Sequence, residues 1–194
     1  MNDIEIAKLP DEDKLRVSQS LQNSELFEKK LLKAFPLDRD PSKSYFSANT
    51  LEGDDEQNYL ALRRVFEGKN WNEVDLTLLV EKNLSTGLDE DGNIYYLPAV
   101  LKFNYDLRVE MLDLYLISST IEGLSIGFLS TRYRIGADGW SYWEPTDYSA
   151  FEQFTTEQSK LIAAFLVHIS TLSLFSANYA KSALKNYWGK FLIL

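Results

Sequence analysis

Thr155-Thr-Glu-Gln-Ser-Lys-Leu-Ile-Ala-Ala-Phe-Leu-Val-His-Ile-Ser-Thr-Leu172 decides the fold class. Thr155 and Gln158 have the spacing of a capping box, in which each side chain accepts a backbone N–H that the first helical turn leaves without a partner. Leu161, Ile162, Phe165, Leu166, Ile169 and Leu172 then recur at helical intervals, which predicts a deeply buried helix. Downstream, Tyr179, Ala183, Leu184 and Trp188 predict a last helix over 176–188, with Gly189 placed to end it.

Upstream the pattern stays helical. Leu15, Leu21, Leu26, Phe27, Leu31, Leu32 and Phe35 predict a helix from Asp11 to Phe35 that Pro36 ends, and the turn formers of 37–53 read as a loop. Tyr59, Leu62, Val65 and Phe66 predict a helix over 54–66 that stops at Gly68; a short helix follows over 72–82, with Asn72 as N-cap and Val74, Leu78 and Leu79 inward. A central helix is expected from about Leu97 through Leu101, Tyr105 and Leu112 to Tyr115, with Pro98 near its first turn, where a missing N–H costs little. Gly123 and Gly127 are read as a change to extended chain, and the alternation over 128–142, broken by Gly136 and Gly139, predicts a short β-hairpin. The expected fold is mainly α (α+β): one compact helical domain over 1–194, with a small hairpin between the central helix and the two C-terminal helices. Residues 1–53 form a peripheral helix plus loop, and 54–194 form the helical core.

A chain of 194 residues with 45% hydrophobic content is large and apolar enough for one core, which excludes disordered and fibrous classes. Having no cysteine, it has no disulfide, thiolate metal site, iron–sulfur cluster or cysteine nucleophile. The acidic start has no basic n-region, and the longest apolar stretch, 161–175, is interrupted by His168 and hydroxyl residues, so neither a secretory signal nor a spanning segment is expected. The expected address is the cytoplasm, with no membrane partner.

The net charge of −9 is unevenly distributed. Residues 1–60 hold 13 acids and 8 bases, 61–120 hold 10 and 6, and 121–194 hold 6 and 6. This balance disfavours nucleic acid, whose phosphates need clustered bases, and favours encounter with basic protein surfaces.

Four groups of residues invite chemistry. His168 is the only histidine; Leu161, Phe165 and Leu172 share its helical face, which suits a core or core-edge residue better than a general base. Asp89-Glu90-Asp91-Gly92-Asn93-Ile94 imitates the middle of an EF-hand loop, but the register puts Gly87 and Pro98 where carboxylate ligands are needed, so it reads as a polar turn and helix start. Asp106, Glu110 and Asp113 fall on one helical face, where they suit a solvated surface, a basic partner's docking site or, in a cleft, metal binding or acid–base work. Asp54-Asp55-Glu56 suits a helix N-terminus or partner docking, and Trp140 and Trp143 suit core packing or an interface anchor. No phosphate-binding glycine loop occurs, and no cofactor or catalytic residue is expected.

Trp71-Asn-Glu-Val, Tyr95-Tyr-Leu-Pro-Ala-Val-Leu101, Phe154-Thr-Thr-Glu-Gln158 and Ala183-Leu-Lys-Asn-Tyr-Trp188 together resemble a bacterial family of uncharacterised domains. Its pattern is a Trp-led short helix, a Tyr-Leu-Pro-Ala-x-Leu helix, a Phe-Thr-x-x-Gln helix and a terminal Ala-Leu-x-x-Tyr-Trp. The resemblance covers about residues 61–188 and implies a mostly helical bacterial domain with no established activity and structural motif residues.

The expected function is a non-enzymatic acidic domain that binds a basic protein, most concretely a toxin-neutralising immunity protein. The candidate partner-binding residues are Asp54, Asp55, Glu56, Asp89, Glu90, Asp91, Asp106, Glu110, Asp113, Trp140 and Trp143. Two alternatives stand beside it. One is a subunit or scaffold of a larger bacterial assembly, and the other a metal-dependent hydrolase built on Asp106, Glu110 and Asp113.

Overall fold

The computed structural model describes residues 11–37, 56–81, 88–105, 115–126, 133–135, 141–143, 148–171 and 176–192; for 11–21, 56–59, 80–81, 90, 115–119, 126 and the two strands it describes the backbone path alone. The described chain is mainly α. Its helices are α1 (Asp11–Ala34), α2 (Glu56–Phe66), α3 (Thr77–Glu81), α4 (Glu90–Tyr105), α5 (Tyr115–Ile126), α6 (Thr156–Ser170) and α7 (Ser176–Asn186), with 3₁₀ turns at Trp71–Glu73, Ser149–Gln153 and Trp188–Leu192.

The α6 helix forms as its cap predicts. The Thr155 N–H donates to Gln158 Oε1 at 2.8 Å, and Thr155 Oγ1 accepts the Gln158 N–H at 3.3 Å. Ile162, Ala163, Phe165, Leu166 and Ile169 are buried. The Gln158 amide also donates to the Ala34 carbonyl at 3.0 Å, so the residue that starts α6 also binds the end of α1.

The α1 helix ends before Pro36, as expected, and buries Phe27, Leu31 and Phe35, one residue per turn. Leu26 and Leu32 are exposed, so the seam is narrower than the sequence suggests. The second half of α1 is not peripheral: Phe27 stacks on Tyr105 at 4.1 Å between centroids and on Phe165 at 6.4 Å, and Phe35 meets Phe154 edge-on. These contacts place α4 and α6 side by side in the same direction, with α1 antiparallel across both.

Residues 70–81 differ from the expected single helix. Trp71, Leu76 and Leu79 are all buried, although positions 71 and 76 of a continuous helix would point about 140° apart. The chain instead makes a 3₁₀ turn, with the Asn70 N–H on Glu73 Oε2 at 2.8 Å, and restarts where Asp75 Oδ1 accepts the Thr77 N–H at 2.9 Å. Asn70, not Asn72, flanks the first of these pieces. Gly68 ends α2 at φ +72°, a conformation that costs a residue with a Cβ more than glycine.

The central helix α4 starts about two turns earlier than expected. Asp89 Oδ1 accepts the Gly92 N–H at 2.7 Å and the Asp89 carbonyl accepts the Asn93 N–H at 2.8 Å, so the acidic stretch opens the helix. Pro98 therefore lies inside it, where its missing N–H and ring cost about 3 kcal/mol. Burial of Tyr96, Leu97, Ala99, Val100 and Leu101 around the same turns offsets that cost. The Tyr96 hydroxyl is 2.8 Å from the Phe66 carbonyl and 3.0 Å from that of Lys69, one hydrogen serving both acceptors at the end of α2.

Gly123 lies within α5 and does not begin an extended segment. Tyr133–Ile135 and Ser141–Trp143 pair antiparallel, Tyr133 opposite Trp143. A ladder this short adds no layer, and the hairpin expected over 128–142 is not supported as an element of the fold, because the rest of that span lies outside the described residues.

The last carbonyls of α5 are taken by side chains. The Trp188 indole donates to the Leu124 carbonyl at 3.0 Å, and Tyr148 and Asn186 donate to that of Ser125 at 3.1 and 3.4 Å. Trp188 packs on Phe151, Phe154 and Phe191, so it closes the bundle against α5 and the start of α6. Between α7, which stops at Asn186, and this turn the backbone passes close to itself: a Cβ on Gly189 would lie 2.6 Å from the Leu184 carbonyl oxygen.

Gly189→Ala is expected to destabilise the fold by about 1–3 kcal/mol, read as a lower denaturation midpoint at unchanged m-value. Tyr96→Phe should cost about 1–2 kcal/mol, because the Phe66 and Lys69 carbonyls lose the hydroxyl they share, although the Lys69 N–H still donates to Phe66. Thermal melts of both variants check this, and an unchanged Tm in either removes the corresponding contact from the account.

Candidate functional site

The structure separates the sequence-derived candidates. Asp89 is half-buried with one carboxylate oxygen committed to the α4 backbone, Glu90 is the first residue of α4, and Asp91 is half-buried in its first turn. Glu56 starts α2, and Trp143 lies in the second strand. Asp54, Asp55, Asp106, Glu110, Asp113 and Trp140 lie outside the described residues. Among the described residues no group of three or more His, Asp or Glu side chains is placed to hold a metal ion.

His168 is a core-edge residue. It is half-buried in the last turn of α6, with its ring 4.6 Å from that of Tyr105, which in turn stacks on Phe27. One turn earlier on α4, Lys102 pairs with Glu28 of α1 at 2.6 Å; both side chains are more than a third exposed, a setting in which an ion pair contributes about 0–1 kcal/mol. This end of the bundle is thus joined chiefly by stacked rings.

At the opposite end a cleft opens where α1 stops, α4 begins and the cap of α6 turns. Phe35, Pro36, Ile94, Tyr95, Gln153, Phe154 and Gln158 line it. Its volume of about 150 Å³ falls below the roughly 300–1,000 Å³ typical of small-molecule sites. Two of its polar groups are engaged: the Tyr95 hydroxyl donates to the Leu37 carbonyl at 2.8 Å, and Gln158 is spent on its cap and on Ala34. The cleft is a packing seam between helix ends.

The sequence reading did not single out Glu122, and it used Tyr179 only as an apolar position of the last helix. Burial pushes the Glu122 carboxyl above its ordinary range on α5. Burial, then the Glu122 charge, pushes the Tyr179 phenol up on α7. Neither residue belongs to a motif, and Glu122 stands alone among apolar and small residues in 115–127, the only signal that could have drawn attention to it. Asn104 is 6% exposed on α4, and its amide has no hydrogen-bond partner among the described residues. Asp75 differs: the Thr77 side chain and N–H hold its carboxyl below the usual range, so this exposed group stays charged.

The motif residues Trp71, Tyr96, Leu97, Phe154, Gln158 and Trp188 are all buried. No family model matches the chain, and no curated protein or solved structure matches it either. No described helix is long and apolar enough to cross a membrane.

The raised carboxyl of Glu122 opposes folding once it ionises. Stability from this group is complete below the unfolded-state pKa and is lost as pH rises through the higher folded-state value. Glu122→Gln is therefore expected to raise Tm modestly at pH 7, with the gain vanishing in acid below the ordinary carboxyl range. Paired melts across pH check it; a variant less stable than the parent at pH 7 would show that the carboxylate makes a net favourable contact.

Proposed function

We propose that the chain is a non-enzymatic protein-binding domain of the bacterial cytoplasm that engages a basic partner, most concretely a toxin neutralised by occlusion or electrostatic mimicry. One observation carries the reading: 23 acids against 14 bases lie in residues 1–120, whereas the remainder is balanced. Such a charge excess accelerates encounter with a basic surface and sets register more than it adds affinity.

The capping role of Asp89 narrows which acids serve binding. One Asp89 oxygen is committed to the α4 N-terminus, so the binding test uses Glu90, Asp91 and the Asp54-Asp55-Glu56 run, and Asp75 adds fixed charge at the start of α3. Asp106, Glu110, Asp113, Trp140 and Trp143 remain part of the proposed surface.

Gentle purification of the tagged chain from its native cells at low and high salt tests the reading. A stoichiometric basic polypeptide that is retained at low salt and lost at high salt is expected. Charge reversal at Asp54, Asp55 and Glu56, and separately at Glu90 and Asp91, should then weaken its binding about tenfold or more and flatten the salt dependence. Asp89 is left intact in both variants, so lost affinity does not report a lost cap. Unchanged affinity in both variants overturns the electrostatic reading.

A further inference from the structure

We propose that the outer side of α7 and the turn that follows it form a docking face for an anionic lipid surface. From Gln158 to Leu194 the chain has four lysines and no acid, within a protein of net charge −9. Ala177, Ala180 and Ala183 press α7 into the bundle, and Lys181 and Lys185, one turn apart, are exposed. Lys190 is exposed on the turn with its ammonium 3.7 Å above the Tyr187 ring centroid. Leu192, two residues on, is 47% exposed, and the sequence continues with Ile193 and Leu194.

Exposed lysines together with the exposed Leu192 side chain match the boundary between headgroups and acyl chains, where charge attraction and apolar burial add. A nucleic-acid strand fits less well. It would stack bases on open aromatic rings, whereas Lys190 lies over Tyr187, and the face has no arginine to fork a phosphate.

Two acids oppose the face locally: Glu122 of α5, whose charge acts on Tyr179 of α7, and Glu152. Glu152 is exposed on the preceding 3₁₀ turn, and after burial its charge is what holds the Tyr187 phenol above the usual range. No membrane partner is expected from the sequence, because that expectation rests on the lack of a spanning segment; peripheral docking needs none. The lysines and the acids proposed to meet a basic protein lie in different stretches of the sequence.

Co-sedimentation of the full chain with phosphatidylcholine vesicles, with and without roughly 30% phosphatidylserine, tests the proposal. Binding is expected on the anionic vesicles only and should fall as salt rises. Each of Lys181→Gln, Lys185→Gln and Lys190→Gln should lower partitioning by a factor of about five, and the triple variant by about a hundred. Glu152→Gln should raise partitioning, and Leu192→Ser should lower it without altering the salt dependence. Circular dichroism confirms that each variant is folded. Equal partitioning on both vesicles overturns the proposal, as does undiminished binding by the folded triple variant. Retention on single-stranded RNA with none on vesicles also overturns it and assigns the face to a polyanion.

Discussion

The Trp188 indole N–H on the Leu124 carbonyl is the contact on which the C-terminal half of the fold depends. A helix end leaves carbonyls without partners, and burying them unpaired costs about 1–3 kcal/mol each. Here Trp188 takes the Leu124 carbonyl, and Tyr148 and Asn186 share that of Ser125, so the end of α5 is sealed by residues far along the chain. The same indole fills the space between Phe151 and Phe154, which lead into α6. It reaches that position because the chain turns tightly after α7, and the turn accepts no Cβ at position 189. A hydrogen bond, an aromatic cluster and a glycine are therefore one constraint.

Gln158 plays the corresponding part at the other end. Its carbonyl oxygen completes the cap of α6 and its amide holds the last turn of α1, so the start of one helix and the end of another are set by a single side chain. Tyr95 and Tyr96 extend this junction, Tyr95 to the chain leaving α1 and Tyr96 to the end of α2. These two aromatic residues and Gln158 satisfy backbone groups rather than face solvent. The core thus holds the helix ends in place.

Charge is distributed along with these structural duties. Acids gather where helices begin, and Asp75 and Asp89 accept backbone N–H groups there. The count of acids thus overstates the charge available to a partner, since part of it stabilises the chain's own helix ends. Residues 158–194 carry four lysines and no acid, so the end of the sequence differs in character from the acidic first 120 residues.

Much of the helical fold was legible because its signals are local. The Thr155–Gln158 cap, the apolar stripe of α6, Pro36 after α1 and Gly68 after α2 each act within a few residues, where spacing determines the hydrogen bonds. By itself the sequence determined the mainly helical class, the cap of α6 and the uneven charge. It misplaced the start of α4, because Pro98 alone argues for a first turn and only burial of Tyr96, Leu97 and Leu101 by distant elements carries the helix through it. It misread 70–81 and Gly123 for the same reason. The raised carboxyl of Glu122 was not legible at all, since it follows from what packs against α5. Tertiary structure alone decided the break at Trp71, the ring stack that holds His168 and the partners of the α5 carbonyls, because each joins residues far apart in the chain, and no spacing rule encodes which distant side chain will arrive.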